Sequence, residues 1–145
     1  MRWFSIPLIA AAGLSIFVPT ANPQDKPLQD DYIRKLLIGK WVQQIKPEKG
    51  LTKSIVWIFK KDNTCACQAK IVLETMQTIE ANTAGTWKLT KGKIETTITE
   101  SVGPGPKVGE IETARVISID ETTLITRSAA ENGKLRDLEW KRAKD

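Results

Sequence analysis

The sequence predicts an all-β chain: an eight-stranded antiparallel up-and-down β-barrel preceded by one short α-helix. Three observations lead there. Tyr32, Ile33, Leu36 and Leu37 recur at helical spacing and are stopped by Gly39. Most apolar stretches after Gly39 alternate with a period of two. Short turn-forming pairs separate them, and no helical pattern intervenes. Antiparallel neighbours with one apolar face each lose their exposed edges by closing into a barrel. A two-sheet sandwich is the competing arrangement.

The elements follow in order. Arg2 precedes an uncharged, mostly apolar run from Trp3 to Val18, then Pro19-Thr20-Ala21 and a polar stretch from Asn22. That is the order of a secretory signal peptide, expected at residues 1–21 with cleavage after Ala21. An uncleaved anchor is the alternative, although a membrane span needs about 20 apolar residues. Residues 22–27 read as a disordered leader and 28–145 as the barrel domain. Removing 21 of the 145 residues leaves 124, enough for one domain with a core of its own. The net charge of +5 then falls to +4, with both signs interspersed, which favours solubility. No basic run carries interleaved aromatics, so nucleic acid is not an expected partner. The mature protein is expected to be secreted or periplasmic, and free of the membrane.

Asp30 or Asp31 can cap the helix. Trp41, Gln43 and Ile45 then share one strand face, and Ile55, Trp57 and Phe59 share another after them. Asp62-Asn63 is a turn pair. Cys65, Cys67, Ala69, Ile71 and Leu73 alternate with a more polar set, which places the cysteine face inward. Residues 74–84 alternate weakly. Trp87 and Leu89 lead a strand ended by Lys91-Gly92-Lys93, and Ile94, Thr96 and Ile98 face inward on the next. "VGPGPKVG", 102–109, with three glycines and two prolines, is a loop. In 110–119 the favoured inward set is Ile111, Thr113, Arg115, Ile117 and Ile119, which buries Arg115 unless it reaches a mouth. Leu124 and Thr126 follow an Asp120-Glu121 turn. Asn132-Gly133 is a hairpin signal, and Leu138, Trp140 and Arg142 share the last inward face.

Gly39 frees the chain to turn from helix into strand. Trp41 then points inward near one end, where the helix can cover the opening. "GKW" at the first strand, a mid-chain "GTW" at 85–87, and a last strand ending "LEWKR" resemble the lipocalin-like barrels of the calycin group. The chain is most similar to small secreted bacterial domains of that kind over most of 28–142. The resemblance implies that Arg142 packs across Trp41, so that Gly39, Trp41 and Arg142 close the barrel. The family's disulfide from the C-terminal segment to the barrel has no counterpart here. Avidin-type barrels also open with Gly-x-Trp, but the chain's one tyrosine is Tyr32 in the helix, so biotin is not expected.

An eight-stranded barrel is either filled by its own side chains or holds one small ligand. Here the inward list mixes bulky residues, Trp41, Trp57, Phe59, Trp87 and Trp140, with small ones, Cys65, Cys67, Ala69, Thr96, Thr113 and Thr126. If the small ones face one another, a semi-apolar cavity remains. Cys65 and Cys67 lie about 6.5 to 7 Å apart along one strand face, too far for a disulfide without a bulge. They read as small buried hydrophobes, with a strained redox pair or a Cu(I) site as alternatives. Zinc wants four ligands, and the chain has no histidine and no third cysteine, so no metal or cofactor is expected. The lack of histidine also removes the usual general base, so no catalytic residue is assigned. The expected function is non-catalytic carriage of a small hydrophobic or amphipathic molecule, with Trp57, Phe59, Trp87 and Ile98 as pocket residues. The alternative is a solid barrel that recognises a protein partner, inhibitor-like or structural in the envelope.

Overall fold

The computed structural model describes residues 28–48, 50–130 and 132–144. The signal peptide and leader expected at 1–21 and 22–27 lie outside these residues. Helix α1 (Asp30–Leu37) is followed by β1 (Gly39–Glu48), β2 (Leu51–Phe59), β3 (Thr64–Val72), β4 (Thr78–Thr90), β5 (Lys93–Val102), β6 (Ile111–Ile119), β7 (Thr123–Ala129) and β8 (Leu135–Arg142). Each strand pairs antiparallel with the next, and β8 returns to β1 to close an eight-stranded barrel. The architecture is compatible with a calycin-like fold. The closing seam is short: only Trp41↔Arg142 and Val42↔Lys141 are in register. Among the described residues no helix is long and apolar enough to cross a membrane.

α1 lies across one end. Ile33 and Leu37 are fully buried and join Trp41, Phe59, Trp87, Leu89 and Ile94 in one core cluster. Tyr32, expected on that stripe, is 51% exposed instead. Asp30 does not cap its own helix, which is preceded by Gln29 with no side-chain cap. Its carboxylate instead accepts from the backbone N–H groups of Lys91 and Gly92, each at 2.7 Å. Those two residues have positive φ, the pattern of a two-residue hairpin turn whose N–H groups point away from the ladder. The carboxylate therefore ties α1 to the β4–β5 turn.

Two expectations about strands change. The weakly alternating stretch 74–84 is mostly strand, because β4 begins at Thr78 and pairs with β3 from Thr78 to Thr86. Its residues climb toward the open end, where neither face needs to be consistently apolar. In β6 the inward set is Ala114, Val116 and Ile119, while Ile111, Thr113, Arg115 and Ile117 are exposed. A register shift between Val116 and Ser118 inserts Ile117 as an extra residue, which flips the facing on either side of it. Arg115 thereby avoids the large cost of burying an unpaired charge.

The two Gly-x-Trp stretches have different causes. Gly39 has φ +133°, and a Cβ there would run into the Arg142 guanidinium. Gly85 needs no unusual φ. It lies beside a second register shift, between β4 and β5, and a Cβ there would run into the backbone carbonyl of Thr97.

Candidate functional site

The closed end is built first by the sequence and sets the floor of everything above it. Trp41 is fully buried, and its indole N–H donates to Leu37 O at 2.9 Å. The Arg142 guanidinium lies 4.2 Å from the Trp41 ring. Its Nε donates to Glu121 O at 2.7 Å, its Nη1 to Ile38 O at 3.1 Å, and its Nη2 to Leu36 O. Leu36 and Ile38 stand at the C-terminus of α1, where carbonyls lack helical partners and a cation is favourable. Gly39, Trp41 and Arg142 thus meet at one point that joins helix, seam and the β6–β7 turn. A second cation stack, Arg34 at 4.7 Å over Trp87, extends this cover, and Arg34 also donates to Asn63 Oδ1 at 2.7 Å.

Above that floor the barrel is hollow, with a cavity of about 440 Å³. Its walls carry Ile55, Trp57, Ile98, Leu138 and Trp140 as apolar surface. The space exists because the large rings pack against one another. Trp57 packs at a tilt against Phe59 at 4.3 Å and Trp140 at 5.4 Å between ring centroids, and Phe59 meets Trp87 edge-on at 5.3 Å. The neighbouring positions carry small side chains: Cys65 and Cys67 on β3 are in register with Phe59 and Trp57 on one side and with Gly85 and Thr83 on the other. Ala114 adds a third small wall on β6.

Of the pocket residues expected from facing, Trp57 and Ile98 line this cavity. Phe59 and Trp87 lie beneath it in the packed core, 1% and 3% exposed. The Trp87 indole N–H donates to Lys60 O at 3.1 Å, which turns that ring into part of the floor. The parity rule tells inward from outward but not how far along the barrel axis a residue lies.

Cys65 and Cys67 are free thiols and both line the cavity. Burial pushes each thiol up to about 11, and the Glu112 carboxylate adds to the rise. Both therefore stay protonated and weakly nucleophilic at neutral pH. Among the described residues no group of three or more His, Cys, Asp or Glu side chains is placed to hold a metal.

Three polar residues of the cavity were not singled out as site residues by the sequence reading. Glu112 shares the inward parity of Ala114 and Val116, and it was hidden by the misjudged facing of β6. Burial, followed by the neighbouring Glu110 charge, raises its carboxyl above the ordinary range. Arg136 lines the same space, and its parity with Leu138 and Trp140 was available as a signal. Thr96 was placed on the inward face without a role. It is 4% exposed, and its hydroxyl is the one buried side-chain polar atom without a hydrogen bond among the described residues. Thr126, by contrast, accepts the Trp140 indole N–H at 3.0 Å.

No known family model matches the chain, and no curated protein sequence matches it significantly.

Proposed function

We propose that this protein is a non-catalytic, lipocalin-like carrier of one small hydrophobic or amphipathic molecule held inside its barrel. The observation that supports this most is the cavity of about 440 Å³, within the usual size range for small-molecule sites. Its walls combine apolar and aromatic surface from Ile55, Trp57, Ile98, Leu138 and Trp140 with polar side chains that include Thr96, Glu112 and Arg136, the mixture an amphipathic molecule needs. The absence of histidine and the protonated state of both thiols fit binding better than turnover. The apolar run at residues 3–18 behind Arg2 supports action outside the cytoplasm, secreted or periplasmic.

Recognition of a protein partner is the second reading, and one observation favours it. Met76, Val102, Val108, Ile111 and Leu135 are exposed, all at or near the turns of the end opposite α1. Exposed apolar side chains gathered at one end are a common mark of an interaction site. Native purification followed by denaturation and mass spectrometry of the extract separates the two. A stoichiometric small molecule is the expected result. An empty extract, with Trp emission unmoved by fatty acids or a hydrophobic dye, speaks against the carrier.

A further inference from the structure

The orphan hydroxyl of Thr96 marks where in the cavity a ligand has polar chemistry. Register sets Thr96 beside Trp87 on β4 and Glu112 on β6, with fully buried Ile94 two residues below and cavity-lining Ile98 two residues above. The hydroxyl therefore stands where floor becomes wall. Cys65 is close enough for Thr96 to favour its thiolate slightly, but the hydroxyl makes no hydrogen bond of acceptable geometry. A buried, unsatisfied polar group costs roughly 1–3 kcal/mol. Valine would fill the same shape without that cost, and the strand around it would favour valine at least as well. The three other polar contacts of the interior rings, made by Trp41, Trp87 and Trp140, are all satisfied. General looseness therefore does not explain the orphan.

Resting on the carrier reading, we infer that the ligand bears a neutral oxygen, a hydroxyl or a carbonyl, that enters first and hydrogen-bonds Thr96 Oγ1. Its apolar body then lies along Trp57, Ile98 and Leu138 toward the open end. Charge is disfavoured at that depth, because the same surroundings already push the Glu112 carboxyl and both thiols toward their neutral forms. A site built to bond an oxygen discriminates strongly against an analogue without one, because its own polar group is then left unpaired.

The test uses decan-1-ol, decan-2-one, n-decane, decanoate and decylammonium as probes, read by Trp emission and displacement of a hydrophobic dye. Wild-type protein should bind the alcohol and ketone roughly tenfold more tightly than the alkane and than either ion. Thr96→Val should erase that preference and raise the melting temperature of the free protein. Thr96→Ser, which keeps the hydroxyl, should retain the preference. A preference that survives Thr96→Val, or tighter binding of either ion, overturns the inference while leaving a carrier. Failure of every probe to bind speaks against the carrier reading itself.

Discussion

The two ends of this barrel are built from the same strands and solve opposite problems. At the closed end every interior indole N–H has a partner, and Arg142 is held by three backbone carbonyls and one ring. Above it a buried hydroxyl at the base of the cavity has none, and at the open end apolar side chains stand in solvent and strands β1 and β8 run on beyond their two paired positions. Interactions that define the fold are concentrated at the closed end. The other end is left under-committed, which is where binding sites are usually drawn from.

Breaking the closed end should therefore cost far more than altering the cavity. Trp41→Ala is expected to lower the unfolding free energy by about 3–5 kcal/mol in urea titration. Trp57→Ala removes a ring that already faces empty space and should cost nearer 2 kcal/mol. Equal losses would mean that the two ends are not distinct. Arg142→Ala comes next, at about 2–3 kcal/mol, since it removes a cation–π stack and leaves helix-terminal carbonyls unpartnered. Arg142→Lys should recover less than half of that, because an ammonium lacks the flat fork that meets carbonyls and ring together.

Smaller effects sharpen the cavity side. Both thiols hold their protons more tightly when folded, at about 11 against an ordinary 9.0. The unfolded chain releases them first, so stability is unaffected below 9.0 and falls as pH rises toward about 11. A Cys65→Ala/Cys67→Ala double variant should flatten that alkaline limb in thermal melts. The smallest effect is expected at Glu112, whose carboxyl is also raised in the fold. Its contribution is lost as pH rises past the ordinary carboxyl range and stays lost above it. Glu112→Gln should therefore melt slightly higher than wild type near neutral pH and match it in acid. A lower neutral melting point would show that the charge is paired.

The closed end was legible in the sequence because its signals are local. A helix stop at Gly39 and an indole two residues later announce the turn into β1, whereas the placing of Arg142 over Trp41 came from the resemblance to lipocalin-like barrels, with only its shared parity with Trp140 readable locally. The cavity was legible only in part. Alternation sorts Trp57, Phe59, Trp87 and Ile98 to one face, yet their depth depends on strand register, which no single strand encodes. Glu112 was missed because Ile117 is an ordinary β-branched strand residue and nothing in its identity marks a bulge. Asp30 was misread for a related reason: a carboxylate in a helix's first turn looks like a cap, and its partners lie 61 and 62 residues away.

The most direct measurement is a titration of N-phenyl-1-naphthylamine, a neutral hydrophobic dye, into wild-type protein and into Ala114→Phe, with far-UV circular dichroism confirming that both fold. Ala114 is buried on the cavity wall, so a phenyl ring there takes up space that a ligand would occupy. The hollow-barrel account predicts one dye per wild-type chain and little or none in the variant. Equal dye binding by both would place the dye on the outer rim and contradict it.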